Sequence, residues 1–109
     1  MGTLSTAAKN TALDALSPNL IKLPSGAPGT AGTANEVTNA NKAATWAAAG
    51  SGSRALSAAV EDIPVTAGAT ISHISIWNSG TFLGSDDLSA SEDYTGAGTA
   101  TISTATLSI

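Results

Sequence analysis

The sequence predicts a mainly β fold: a single antiparallel β-sandwich or small barrel of about six to eight strands with a short N-terminal helix. Short apolar segments recur at close spacing, and Gly, Pro, Asn and Ser separate them. Helical patterns of roughly 10–15 residues are missing between these segments, which disfavours alternating strands and helices. The 109 residues fit one domain, with a helix and linker over 1–18 and the sandwich over 19–109.

The N-terminal helix is predicted over residues 3–16, and Pro18 ends it. Its apolar positions recur mostly four residues apart, which places them along one side of a helix. These positions are Leu4, Ala8, Ala12, Leu13, Ala15 and Leu16. A helix this short is marginal by itself, so we expect it to lie on another surface. Leu4, Leu13 and Leu16 are therefore interface candidates.

A first strand over residues 19–24 leads into a long segment, 24–42, that is rich in Gly, Pro, Asn and Thr and has no periodicity. This composition predicts a loop. Loops of this length in a compact domain are usually functional or docked. The Ala-rich residues 44–65 are interpreted as two strands joined at "GSGS", although residues 42–49 also fit a helix.

Residues 67–68 are predicted to turn the chain into a hairpin over 70–84, whose two strands meet at "NSG". An acidic loop is predicted over residues 85–98. A final strand is predicted over residues 99–109, to the end of the sequence.

The hairpin contains several of the rare large side chains. Alternation places Ile74 and Ile76 on one face and His73 and Trp77 on the other, while Phe82 returns towards the core. A strand with large residues on both faces is usually covered on both sides. We therefore interpret this segment as the central hairpin, with one face covered by the helix or by a neighbouring subunit.

The composition predicts a small core. The chain has 22 Ala, 15 Thr, 14 Ser and 11 Gly, against 9 Leu, 7 Ile and 3 Val. Because large apolar side chains contribute most of the burial free energy, such a chain is expected to gain stability from a partner. Copies of itself, in a small homo-oligomer with a trimer favoured, are one such partner.

The charge and cysteine content exclude several classes of function. The net charge is −4 with only four Lys and Arg, so the basic surface that binds nucleic acid or anionic membranes is missing. Apolar runs are shorter than the ~18 residues of a membrane span. Without cysteine, the sequence contains no disulfide and no thiol nucleophile.

Chemistry-bearing residues are few, and no enzyme or cofactor site is expected. His73 is the only histidine, and no G-x-S-x-G nucleophile motif is present. A packed strand histidine or an interface residue is the favoured interpretation. Asp86, Asp87, Glu92 and Asp93 form two acidic pairs, which are a weak calcium candidate. The alternatives are a solvated loop or an acidic patch that faces a basic partner.

The sequence also supports specific predictions for four other residues. Arg54, the only arginine, follows "GSGS" and is either an inter-subunit salt-bridge residue or an exposed strand end. Tyr94 is the one aromatic residue expected to be exposed in a loop, where it is an interface candidate. Trp46 and Trp77 are expected to fill the core rather than to bind a ligand.

The order of these segments resembles a group of small bacteriophage virion proteins common in tailed phages of actinobacteria. The resemblance covers nearly the whole chain and is carried by "LSTAAKNTALDAL", "SHISIWNSGTFLG" and "GAGTATI". Such proteins are described as head decoration, head fibre or minor tail proteins. The resemblance implies a β-sandwich that binds a virion surface in many copies, without catalysis.

Two roles follow as expectations. The first is a capsid decoration or minor capsid protein on the outer head surface, made in the host bacterial cytoplasm, with the major capsid protein and itself as partners. The N-terminal helix or the 24–42 loop would be its anchor. The alternative is a minor tail or fibre-associated protein, including a receptor- or carbohydrate-binding module.

Overall fold

The computed structural model describes residues 3–108, which form one helix and eight strands in antiparallel sheets and confirm the mainly β fold. The elements are α1 (Thr6–Leu16), β1 (Leu20–Lys22), β2 (Asn41–Ala43), β3 (Ser53–Ala55), β4 (Val60–Val65), β5 (Thr70–Asn78), β6 (Thr81–Asp93), β7 (Gly98–Ile102) and β8 (Thr106–Ser108). Within this described part, no helix is long and apolar enough to cross a membrane.

The strands form one sheet and two ribbons. The four-stranded sheet has the order β2-β1-β5-β6, and β3-β8 and β4-β7 are the two-stranded ribbons. Ile21 of β1 lies opposite Ile76 of β5, which places the predicted hairpin strand at the centre of the sheet. The molecule is elongated, with extents of 48 × 28 × 25 Å.

One apolar core joins the sheet to both ribbons. Its buried large side chains are Leu13, Ile21, Leu23, Val60, Ile63, Val65, Ile71, Ile74, Ile76, Ile102 and Leu107. The β8 strand approaches the sheet closely, since a Cβ on Gly84 of β6 would come within 2.8 Å of the Leu107 side chain. The few large aliphatic residues of the sequence are thus concentrated in one layer between the sheet and the ribbons.

The helix begins at Thr6 rather than at residue 3, and it buries only part of the predicted apolar stripe. Ser5 is the N-cap, and its hydroxyl accepts a hydrogen bond from the Ala8 amide at 3.1 Å. Only Leu13 of the helix is buried, whereas Leu4 and Leu16 are 53% and 36% exposed. The helix does lie on the body of the chain, through Leu13, whereas Leu4 and Leu16 of the predicted apolar stripe remain exposed.

Two predictions in the C-terminal third are wrong. The predicted acidic loop 85–98 is largely the second half of β6, which continues to Asp93 beside β5. An edge strand needs no apolar alternation, because its side chains can face water. The predicted final strand is divided at residues 103–105 into β7, which pairs with β4, and β8, which pairs with β3; its last residue, 109, lies outside the described residues.

The "GSGS" reversal is confirmed, but the strand predicted after it is divided into β3 and β4, which pair with β8 and β7. Antiparallel bridges join Gly50 to Ser53 and Trp46 to Leu56, and only β3 continues as a strand. Alanine favours strands weakly, which accounts for the irregular first arm. Trp46 is half-buried and packs against the core, and Trp77 is buried.

Candidate functional site

The long loop covers the second face of the central hairpin. Residues 23–40 contain no helix or strand. Trp77 is 5% exposed, its ring centroid lies 5.3 Å from that of Phe82, and the Lys22 ammonium lies 4.2 Å above it. Lys22 also pairs with Glu36 of the loop at 3.4 Å. Gly32 touches Phe82 so closely that any Cβ there would overlap the ring. Within the described chain, the loop rather than the helix therefore covers this face.

His73 lies in a hydrogen-bonded row across β5 and β6. Its Nδ1 is 2.7 Å from the Ser72 hydroxyl, and its Nε2 is 3.2 Å from Asp87 Oδ1. A register shift between Ile71 and His73 brings the neighbouring side chains of Ser72 and His73 together. The row links β5 to the edge strand β6 at the point where their pairing is irregular.

The row has the residue types of a catalytic triad but differs in environment. In a triad the carboxylate is buried and orients the imidazole. Here the Asp87 side chain is 81% exposed. Of the three residues, only Asp87 lines the cleft between β6 and β7. The contacts account for His73 as a cross-strand residue that is 26% exposed.

The four carboxylates of the calcium candidate have separate partners. Asp86 accepts hydrogen bonds from the Asp87 amide at 2.9 Å and the Thr106 amide at 3.2 Å, and thereby connects β6 to β8. Asp93 accepts from the Thr70 hydroxyl at 2.6 Å. Among residues 3–108, no three His, Asp or Glu side chains converge as metal ligands.

Tyr94 is half-buried and fixed at the end of β6. Its hydroxyl lies 3.2 Å from both Glu92 Oε2 and the Thr99 carbonyl oxygen. Its amide donates to the Ala69 carbonyl at 2.8 Å. Burial raises the pKa of the Tyr94 hydroxyl, and the adjacent Glu92 carboxylate raises it further. The ring is therefore anchored within the chain, unlike the exposed loop aromatic predicted from the sequence.

Arg54 is not the exposed strand end that one interpretation of the sequence predicts, and its contacts lie within the chain. Its Nε donates to the Ala47 carbonyl at 2.8 Å, and Nη1 lies 3.3 Å from the carbonyl oxygens of Leu13 and Asp14. The Asp14 carboxylate is 3.8 Å away, and the Arg54 side chain is 16% exposed. A cation at the C-terminal end of a helix satisfies carbonyls and the helix dipole. Arg54 is thus an intrachain clamp on α1.

Polar contacts hold α1 to the body along one side. The Gly52 amide donates to Asn10 Oδ1 and the Ala49 amide donates to Asp14 Oδ1, both at 2.9 Å. Asn78 Nδ2 donates to the Leu16 carbonyl at 3.1 Å. Leu13 is the single fully buried side chain of the helix and has no surface free for another chain.

The opposite side of α1 is apolar and outward-facing, and we call it the α1 face. It consists of Leu4, Ala7, Ala8, Thr11, Ala12, Ala15 and Leu16. The hydroxyl of Thr11, its one polar member, is bonded to the Ala7 carbonyl oxygen at 3.1 Å. Leu4 and Leu16 are the exposed large hydrophobic residues of the described chain.

A cleft of about 480 Å³ opens between β6 and β7. It arises because four residues of β6, 88–91, stand opposite the single β5 residue Ser72, so β6 bows away from its neighbour. Its lining residues are Ile71, Ile74, Asp87, Leu88, Ser89, Ala90, Glu92, Ala100, Thr101, Ile102, Ser103 and Thr104. We call this the β6–β7 cleft. The sequence pattern does not reveal this cleft, because the pattern predicts a loop and one continuous strand for the residues that line it.

A family model described as "Podophage GP4 fiber I protein gp80" matches residues 3–109 of the chain. No curated protein and no solved structure matches it. The family match confirms the broad expectation of a phage virion protein, whereas an actinobacterial host and a decoration role stay predictions. Because the match covers nearly the whole sequence, the chain belongs to this family of phage fibre proteins and is a structural protein of the virion.

Proposed function

We propose that the protein is a structural subunit of a virion fibre, in which the α1 face attaches it to a neighbouring chain. The outward orientation of Leu4 and Leu16 is the observation that carries this proposal. The fibre family of the chain favours a fibre over head decoration.

The way α1 is held supports an external partner. A helix on a protein surface normally turns its apolar side towards the core and its polar side towards water. In α1 the side chains of Asn10 and Asp14 face the body beside the buried Leu13, whereas Leu16 and the Ala residues face outward. Burial of a Leu side chain contributes roughly 1.5–3 kcal/mol, so a partner on this face would stabilise the complex.

The same face can join copies of the chain. We propose a small homo-oligomer, with a trimer favoured, because a thin core and an exposed apolar helix both gain from self-association. A second candidate is a head decoration protein bound to the major capsid protein, and the same α1 face would serve as its anchor. The loop over residues 23–40 is a weaker anchor, since it is docked on its own sheet.

We also propose that the protein has no enzymatic activity. Asp87 in the Ser72–His73–Asp87 row is largely exposed to water, where it orients an imidazole poorly. Tyr94 is likewise anchored by Glu92 and Thr99, which disfavours a role in stacking on sugars.

Virion incorporation tests the proposed attachment. A phage that carries Leu4→Ser and Leu16→Ser in this protein is compared with one that carries Ala59→Ser, at an exposed site outside α1. We expect the double variant to remain folded and to be depleted from purified virions, while the control is incorporated normally. Normal incorporation of a folded double variant would overturn the role of the α1 face.

A further inference from the structure

We infer that the β6–β7 cleft binds an extended, basic segment of a different polypeptide, which lies between the two strands with apolar side chains inward and Lys or Arg side chains at the rim. The strands, the floor and the charges of the cleft each support part of this inference. The identification of the partner as another virion protein rests on the proposed function. The binding chemistry of the cleft does not depend on that proposal.

The cleft is bordered by two strands that each have one edge unpaired in the described chain. β6 is the outer strand of the four-stranded sheet, and β7 is one strand of a two-stranded ribbon. Among residues 3–108, neither has a second strand partner on its other edge. An open edge presents backbone N–H and C=O groups that an added strand can pair with. Residues 88–91 are bowed out, so β7 offers the more regular edge.

The cleft is lined by polar and apolar side chains, and its apolar floor is formed mainly by residues of the core. Ile71, Ile74 and Ile102 are 1%, 2% and 6% exposed, and Leu88 packs against the same core while remaining half-exposed. The volume of about 480 Å³ lies within the usual ligand-pocket range of roughly 300–1,000 Å³. An extended segment turns alternate side chains to opposite sides, so every second residue would reach this floor.

The rim is negative, and its two carboxylates contact His73 and Tyr94 within the described chain but no Lys or Arg. Asp87 and Glu92 line the cleft, and no Lys or Arg of the described chain does so. The four cations have positions elsewhere: Lys22 contacts Glu36 and Trp77, and Arg54 clamps α1. Lys42 donates to the Asp62 carbonyl oxygen, and Lys9 packs near Gly52.

These charges select a different polypeptide over a second copy. A second copy brings a net charge of −4 towards an acidic rim. Its Lys22 and Arg54 are already engaged in its own fold. A strand with alternating basic and apolar residues instead satisfies the edge, the floor and the rim together.

Peptide binding to the purified full chain tests the inference. The probe is a fluorescein-labelled heptapeptide of alternating Lys and Val, KVKVKVK, and the comparison peptides are EVEVEVE and KSKSKSK. Fluorescence anisotropy measures affinity at low and high salt, and amide chemical shifts locate the site. We expect only KVKVKVK to bind, more weakly as salt rises, with shifts concentrated at residues 88–92 and 98–104.

Matched charge variants separate a specific rim from general electrostatics. Asp87→Asn with Glu92→Gln removes two rim carboxylates, and Glu61→Gln with Asp62→Asn removes two exposed carboxylates on β4. The rim variant would lose two exposed ion pairs with the peptide, and at typical strength this loss lowers the affinity about tenfold. The β4 variant should stay within about twofold of wild type.

Several outcomes would overturn the inference. They are equal binding of EVEVEVE or KSKSKSK, shifts that map outside β6 and β7, and equal affinity of both charge variants. Self-association that the rim variant alters would place a second copy in the cleft instead. Because the assay uses purified protein without virions, its failure leaves the fibre proposal standing.

Discussion

Arg54 joins α1 to the rest of the molecule, and its removal should destabilise the fold measurably. Arg54→Met keeps most of the side-chain volume and removes the donors to Ala47, Leu13 and Asp14. The contact to Ala47 is short at 2.8 Å, whereas both helix carbonyls are 3.3 Å away. A hydrogen bond from a charged donor contributes roughly 1.5–3 kcal/mol, and a helix-end cation about 0.3–1 kcal/mol.

We therefore expect Arg54→Met to lower the free energy of unfolding by about 2–3 kcal/mol, since the two longer bonds contribute little. Urea denaturation followed by tryptophan fluorescence measures this loss. Lys42→Met is the matched control, because Lys42 is exposed and makes one 3.4 Å contact to a backbone oxygen. Its loss should stay below about 0.5 kcal/mol. A loss for Arg54→Met no larger than that of the control would refute the clamp.

Tyr94, Gly32 and Ser72 offer three more tests. The single tyrosine, Tyr94, should titrate by absorbance above the ordinary pKa of 10.0 in the folded chain and near it in denaturant, because burial favours the neutral phenol. The contribution of Tyr94 to stability is then complete below pH 10.0 and is lost as the pH rises through the pKa of the folded chain. A titration midpoint at or below 10.0 in the folded chain would contradict the observed contacts of Tyr94. Gly32→Ala should cost about 2–4 kcal/mol in urea denaturation, since its φ is +81° and a Cβ would overlap Phe82. Gly80→Ala, with no atom within 4 Å, is the control, and equal losses would argue against loop docking. For Ser72→Ala, we expect p-nitrophenyl acetate to be hydrolysed at the same rate with the variant as with the wild-type protein. A rate that is measurably higher with wild type than with the variant would argue that the protein is an enzyme.

The central hairpin could be predicted from the sequence because local signals agree there. Ile74, Ile76 and Trp77 fill both faces of β5, and "NSG" marks the turn. Residue alternation and turn chemistry act over a few residues, so they can be identified without knowledge of distant contacts.

Features set by distant contacts were predicted less well. The second half of β6 has the composition of a loop, and only its pairing with β5 makes it a strand. The choice of Leu13 rather than Leu4 or Leu16 for burial depends on where Asn10, Asp14 and Arg54 meet the body. Such contacts join residues about 40 positions apart in the sequence. The 3.6-residue periodicity of a helix does not reveal contacts between such distant residues.

The two candidate surfaces differ in how far the sequence indicates them. Leu4 and Leu16 mark the α1 face as an interface candidate through helical periodicity alone. The β6–β7 cleft depends on three facts that the sequence hides: the split between β7 and β8, the bowed residues 88–91, and the edge position of β6. The acidic pairs did suggest a basic partner, and the structure places Asp87 and Glu92 at the rim of that cleft.

A cryo-EM reconstruction of the intact virion would locate the protein and its α1 face in a single measurement. We expect density for this 109-residue chain on a fibre, with Leu4 and Leu16 of the α1 face buried against a neighbouring chain. Density on the head lattice, or an α1 face that remains exposed to solvent in the assembled particle, would contradict the proposed attachment.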